Sequence, residues 1–150
     1  MFNGFFKKKS KQPSLLLAGA PLELNQQLID AAIGYDILNM DKPANQLLDT
    51  IEKIKPPVLV LYESFLEELD YREMVLKLMT RYQYKVRVVY VLSKEDFWKR
   101  DFLYRWSLFD VVLEGSVEDL IQAIHVPKSF KDVIIEMEKF PPEIFELRRK

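Results

Sequence analysis

Short apolar runs alternate with longer stretches of helical period along most of this chain. The runs contain few polar residues, which is typical of strands buried on both faces of a parallel sheet. The stretches between them place apolar residues three and four positions apart, as an amphipathic helix does. This alternation predicts an α/β fold. The predicted strands are Ser14–Leu17, Tyr35–Met40, Val58–Tyr62, Val86–Leu92 and Asp110–Leu113.

Turn and capping residues divide the intervening stretches into helices. Ser93 precedes the fourth helix and Ser116 the fifth, and a serine hydroxyl at such a position accepts a hydrogen bond from the first helical turn. Asp119 follows Ser116 by three residues, which makes a weak capping box. Five helices are predicted. The second has Leu47 and Ile51 on its apolar side, and the first, third, fourth and fifth are Pro21–Ala32, Tyr71–Tyr82, Lys94–Arg105 and Val117–Ile124.

Composition changes near both ends and divides the chain into three parts. Residues 1–13 form an aromatic and basic tail, residues 14–127 contain all five predicted strands, and residues 128–150 exceed what such a domain needs. The last part is predicted to add a C-terminal helix and a short tail. A chain of 150 residues is large enough for one domain with a sizeable core.

The overall composition excludes several kinds of chemistry. The chain has no cysteine and a single histidine, His125, so thiolate catalysis, disulfides and sites with several histidines are excluded within one copy. The net charge of −1 gives no overall attraction to nucleic acid. No apolar run reaches the roughly 18–20 residues that span a bilayer. These features predict a cytoplasmic protein.

The N-terminal tail is the candidate for membrane contact. Its aromatic residues stand beside a lysine cluster, a combination that docks on anionic lipid surfaces. The alternative is a solvated tail whose phenylalanines fold back onto the core. If the tail does bind lipid, the protein is peripheral to the inner face of the membrane. The candidate membrane-binding residues are Phe2, Phe5, Phe6, Lys7, Lys8 and Lys9.

Large aromatic side chains are concentrated between positions 97 and 109, interleaved with basic residues. A helix buries one face, so some of these rings are expected at the surface, where Trp, Tyr and Arg are enriched in binding hot spots. The alternative is that the rings fill the core. Acidic residues among them argue against a nucleic-acid platform. The candidate partner-binding residues on this helix, 94–106, are Phe97, Trp98, Phe102, Arg105 and Trp106.

Five strands alternating with five helices over residues 14–127 suggest a three-layer, flavodoxin-like fold with a parallel sheet in the order 2-1-3-4-5. Within that frame, Lys55–Tyr62 resembles the segment of bacterial response-regulator receiver domains that leads to the phosphorylated aspartate. The segment Asp110–Leu120 resembles the last receiver strand and the helix after it. Ser93 stands where receivers keep a serine or threonine. The resemblance implies a receiver-like fold whose reactive groups lie at the carboxyl ends of the strands.

The positions that carry chemistry in receivers hold other residue types in this chain. Receivers bind Mg²⁺ through acids after the first strand, because a hard cation requires oxygen ligands. In this chain Ala18–Ala20 stand at the position of those acids. Tyr62, or Glu63 if the alignment shifts by one residue, stands at the position of the phosphorylated aspartate. Glu114 stands where receivers have a lysine that pairs with the phosphate. The degenerate phospho-site positions are Ala18, Gly19, Ala20, Tyr62, Glu63, Ser93 and Glu114.

The resulting hypothesis is a non-catalytic interaction or scaffolding module, a pseudo-receiver with no cofactor and no metal. Its expected partner is another protein, or a second copy, bound through the helix at 94–106. Similar inactive receivers form the front parts of assembly or localisation ATPases in secretion and pilus systems, which implies by analogy a bacterial, membrane-associated setting. Two alternatives remain: a true phospho-receiver or small phosphate-binding enzyme with misaligned acids, and a peripheral membrane adaptor acting through residues 1–13.

Overall fold

The computed structural model describes residues 12–82, 85–96 and 98–139, and in this part of the chain five strands form one all-parallel sheet flanked by helices. The strand order is β2-β1-β3-β4-β5. This confirms the predicted α/β class and the flavodoxin-like order. The strands are β1 (Ser14–Ala18), β2 (Asp36–Asn39), β3 (Val58–Tyr62), β4 (Arg87–Leu92) and β5 (Val111–Leu113).

The apolar runs of the sequence become the central strands of the sheet. Strand β1 lies between β2 and β3, and its Leu16 is aligned with Leu38 on one side and Leu59 on the other. All five residues of β3 are buried, as expected of a strand covered on both faces. Strand β2 lies at the edge of the sheet and exposes most of its residues, which explains why it tolerates polar positions.

The helices bury one apolar side each and expose the other. Their bounds are α1 (Leu22–Asp30), α2 (Leu47–Ile54), α3 (Tyr71–Tyr82), α4 (Lys99–Arg105), α5 (Val117–His125) and α6 (Phe130–Lys139). Short 3-10 turns cover Ala44–Gln46 and Glu63–Leu66. The buried side chains of the helices include Leu24, Leu28, Leu47, Ile51, Val75, Leu78, Leu103, Leu120, Ile124 and Val133.

The two serine caps of the sequence have different outcomes. The backbone N–H of Asp119 donates to Ser116 Oγ over 3.1 Å, which confirms the cap of α5. The prediction that the preceding helix begins at Lys94 is wrong, because that helix begins at Lys99. Ser93 instead closes a turn: its Oγ accepts from the N–H of Asp96 at 3.3 Å and donates to the Asp96 carboxylate at 3.2 Å.

The chain divides into two compact units, Met1–Val88 and Val89–Lys150. The first unit contains β1–β3 and α1–α3, and the second contains most of β4 together with β5 and α4–α6. Helix α6 is the extra C-terminal helix that the sequence predicted. Of the helices described, none combines the length and the hydropathy that a membrane-spanning helix needs.

Candidate functional site

The end of β1, where a receiver would place its metal-binding acids, is filled by packing. Strand β1 ends at Ala18, which is fully buried, and Gly19 follows with a φ of +82°. A Cβ placed on Gly19 would lie 2.6 Å from Phe65 Cβ and 3.3 Å from Tyr62 Cβ. Glycine is therefore required here both by the backbone conformation and by the close approach of Phe65.

The 3-10 turn after β3 brings Phe65 to this position. Strand β3 runs without interruption into Glu63–Leu66, so Phe65 reaches back over Gly19 at the carboxyl end of β1. Tyr62 and Glu63, the two candidates for the acceptor position, are both buried. Gly19 and Tyr62 therefore lie close together beside Phe65. Their chain neighbours Ala18 and Glu63 are buried next to this apolar contact, so four predicted positions of the first unit come together here.

The small residues after β1 have no side-chain oxygen with which to hold a hard cation. Within the described ranges, no three histidine, aspartate or glutamate side chains converge closely enough to hold a metal ion. One open pocket of about 430 Å³ lies beside Gln12, Ile33 and Asp36, near the start of β2. Reactive groups in this class of fold lie at the opposite, carboxyl ends of the strands.

The second unit contains the other two predicted strand-end positions. Ser93 is engaged in the turn with Asp96 described above. The backbone N–H of Glu114 donates to the carbonyl of Leu92 over 2.8 Å, and its side chain is exposed to solvent. Gly115 follows with a φ of +125° and leads into the cap of α5. Glu114 is therefore a surface residue at the end of β5.

The predicted partner-binding residues share one side of α4. We call Trp98, Phe102, Arg105 and Trp106 the α4 surface. Trp98 and Trp106 flank the helix at positions four before and four after Phe102, a spacing that forms a stripe, and Arg105 lies beside it. Trp98 is 46% exposed and Trp106 is 45% exposed, while Phe102 is half-buried. Lys99 Nζ lies 5.6 Å from the centre of the Trp98 ring. The fifth predicted residue, Phe97, and the tail residues Phe2, Phe5, Phe6, Lys7, Lys8 and Lys9 lie outside the described residues.

The inner side of α4 belongs to a group of charged residues that the sequence reasoning missed. Arg100, Tyr104, Lys128 and Glu136, which we call the polar cluster, meet where α6 packs on α4. Arg100 Nη1 lies 3.1 Å from Glu136 Oε2, and Tyr104 OH donates to the same oxygen over 2.7 Å. Lys128 Nζ lies 2.9 Å from Glu136 Oε1 and also donates to the carbonyl of Val111 at 3.0 Å.

Electrostatics keep the polar cluster charged. Burial opposes the ionisation of Glu136, but hydrogen bonds from Tyr104 and Lys128 and the nearby Arg100 charge outweigh it and lower the pKa of this carboxyl. Burial and the hydrogen bond to Glu136 raise the pKa of Tyr104 far above its ordinary value. Tyr104 therefore stays protonated and donates, and Glu136 stays ionised and accepts from both sides.

The polar cluster fastens α6 to α4 and β5. Arg100 is 4% exposed, and a buried guanidinium requires an anion nearby. The sequence contained one signal of this: Arg100 and Tyr104 flank Leu103 on the side of the helix that points inward. An Arg on an apolar helix side predicts a distant carboxylate without naming it. In the structure the distant carboxylate is Glu136 on α6, 3.1 Å from Arg100, and the neighbouring Asp101 carboxylate also lies 3.5 Å away.

Comparisons of the chain with models of protein families, with curated proteins and with solved structures find no match.

Proposed function

We propose that this chain is a non-catalytic interaction or scaffolding module, a degenerate receiver-like domain that binds a partner protein through the α4 surface. The observation that carries the proposal is the exposure of Trp98 and Trp106 on one stripe, next to Arg105. By analogy with inactive receivers, the proposed setting is the cytoplasmic side of a membrane-associated bacterial assembly.

Two exposed tryptophans on one helix side favour a protein interface. Tryptophan and arginine are the residue types most enriched among interface hot spots, because they bury a large area on binding. The exposed Arg105 adds positive charge at the edge of the stripe, while Lys99 beside the Trp98 ring is paired with Asp96 at 4.0 Å. The chemistry of this surface suits a partner with an apolar pocket and an acidic rim.

The end of β1 supports the non-catalytic part of the proposal. Phosphoryl transfer in receivers needs an acid pair that holds Mg²⁺ beside the acceptor. Here Phe65 packs against Gly19 where such a pair would stand, and the buried Ala18 precedes it. This close packing is expected of a receiver-like fold that does not carry out phosphoryl transfer.

The test compares proteins retained from native extract by the tagged full chain and by the Trp98→Ala/Trp106→Ala variant. The matched control is Leu22→Ala, which removes another large apolar side chain, 94% exposed, from the first unit. We expect a defined protein to be retained by wild type and by the control but lost, by about tenfold or more, with the tryptophan variant. Both variants should unfold in urea within about 1 kcal/mol of wild type.

Equal retention by all three folded proteins would contradict the assignment of the α4 surface. The non-catalytic part has its own test, in which the full chain is incubated with Mg²⁺ and a small acyl-phosphate donor. A phosphoryl adduct seen in the intact mass would contradict it, and an unchanged mass is expected. Failure of one test leaves the other standing.

A further inference from the structure

Helix α6 exposes an apolar row between two opposite charges. Lys131, Ile134, Ile135 and Glu138, which we call the α6 outer face, are spaced i, i+3, i+4 and i+7 and so lie on one side of the helix. Ile134 is 42% exposed and Ile135 is 45% exposed. Phe130, at the edge of this face, is 64% exposed. Isolated exposed isoleucines are ordinary, but an adjacent pair framed by charges is a pattern that needs an explanation.

The rotation of α6 about its own axis is fixed by contacts on the opposite side. Val133 is 2% exposed, and Glu136 is held by three members of the polar cluster. Ser129 and Asp132 close the start of the helix through reciprocal hydrogen bonds of 3.0–3.2 Å. The outer face therefore cannot turn inward without breaking the buried ion pair between Arg100 and Glu136.

The charge pattern of the α6 outer face is complementary to itself. Lys131 and Glu138 lie at equal distances along the chain from the midpoint between Ile134 and Ile135. If a second copy packs antiparallel about a two-fold axis through that midpoint, each Lys131 meets the second copy's Glu138. The four isoleucines then meet at the centre. A two-fold interface requires this kind of self-complementary patch.

The charges also run against the preference of the helix itself. A cation is favoured near the C-terminus of a helix and an anion near the N-terminus, by about 0.3–1 kcal/mol each. Lys131 stands in the first turn of α6 and Glu138 in the last, with Asp132 and Lys139 beside them in the favoured order. Among the described residues, neither Lys131 nor Glu138 forms an ion pair. The stability of α6 alone does not account for where these two charges stand.

We infer that the α6 outer face is a self-association surface, on which the occupant is a second copy of this chain packed antiparallel. This surface is separate from the α4 surface and does not depend on the proposed function. One pair of short helices buries less than a standard interface of about 1,600 Å². The dimer is accordingly weak and forms only at the upper end of a concentration series.

The experiment is sedimentation velocity of the full chain over a wide concentration series. Wild type is compared with Lys131→Glu, with Glu138→Lys and with the double variant that carries both changes. Each single change creates two like-charge contacts across the axis, and we expect the Kd to rise about tenfold or more. The double variant restores opposite charges, and its Kd should return to within about threefold of wild type.

The charge-reversal variants are expected to stay folded, so a change in their Kd reports on association. Each single change places a charge where the helix dipole favours it, so α6 is stabilised. Lys53→Glu on α2 makes the same charge change at an exposed position of the first unit and serves as the control that dimerises like wild type. Circular dichroism melts confirm that all variants are folded.

Three results would overturn the inference. The first is a wild-type chain that stays monomeric at every concentration. The second is a dimer that either single reversal leaves unchanged. The third is a double variant that associates no better than the single variants. In the second case, loss of that dimer in Trp98→Ala/Trp106→Ala would assign self-association to the α4 surface and leave the proposed function standing.

Discussion

The end of β1 and the polar cluster show two different ways in which this chain fills space that is hidden from water. At the end of β1, a glycine lets an aromatic side chain approach the backbone, and charge is absent from the contact. Where α6 packs on α4, an arginine, a lysine and a tyrosine all donate hydrogen bonds to one glutamate. The first region depends on shape and the second on the pairing of charges.

The comparison also shows what the positions of charged side chains indicate in this chain. Strand ends are the usual position for reactive groups in such a sheet, yet at β1 the position is closed by packing. The most heavily charged buried group lies instead between two helices, where it holds structure together. In the second unit, the buried Arg100 marks the attachment of α6, and the exposed tryptophan rings mark the surface that is left for a partner.

The largest effect is expected from removing the anion of the polar cluster. Glu136→Ala leaves the buried Arg100 with only the more distant Asp101 carboxylate, 3.5 Å from its Nη2, and removes the anion that Lys128 and Tyr104 also contact. It should lower the free energy of unfolding by about 3 kcal/mol. Urea unfolding measures it. The control is Glu138→Ala on the exposed side of the same helix, which should change the value by no more than about 0.5 kcal/mol. Equal unfolding midpoints for the two variants would show that α6 is not held by the cluster.

The second effect concerns the packing at β1. Gly19→Ala combines a positive φ with a Cβ 2.6 Å from Phe65 Cβ, and should cost about 2–3 kcal/mol. Gly34→Ala is the matched control, because Gly34 has a φ of +85° and no atom within 4 Å of the added Cβ. It should cost about 1 kcal/mol, from backbone strain alone.

The difference between these two glycine variants isolates the contact with Phe65. Because the nearest atom is the Cβ of Phe65, a Phe65→Ala change in the Gly19→Ala background keeps the clash and should not restore stability. If both glycine variants lose the same stability, the turn at Glu63–Leu66 moves aside and the end of β1 is not closed by packing.

The smallest effect is the dependence of the polar cluster on pH. The folded-state pKa of Glu136 lies below its ordinary value of 4.5, so its contribution is present above that value and is lost as the pH falls through the folded pKa. At neutral pH, Glu136→Gln should be less stable than wild type by about 1–2 kcal/mol. Urea unfolding at a series of pH values should show the gap narrowing below pH 4.5. A gap that is constant with pH would show that the carboxylate charge contributes nothing.

Much of the fold could be predicted because its signals are local. Val58–Tyr62 and Tyr71–Tyr82 have the predicted bounds, since each is a continuous periodic run with polar or proline residues at its ends. The start of α4 could not be predicted in the same way. Ser93 has the same hydrogen-bonding capacity at a turn as at a helix cap, and its pairing with Asp96 delays the helix to Lys99.

Periodicity and residue type were enough to predict the α/β class and the strand order, because each depends on spacing within a few residues or on a general rule of sheet topology. Glu136, which contacts Arg100, lies 36 positions from it, and Phe65 is even farther from Gly19 along the chain. Such contacts arise only when separate elements pack. An arginine on the inward side of a helix indicates that a carboxylate is needed, but no residue in either segment shows which distant partner supplies the contact. Folding therefore decided which charges are used internally, and through them which side of α6 remains exposed.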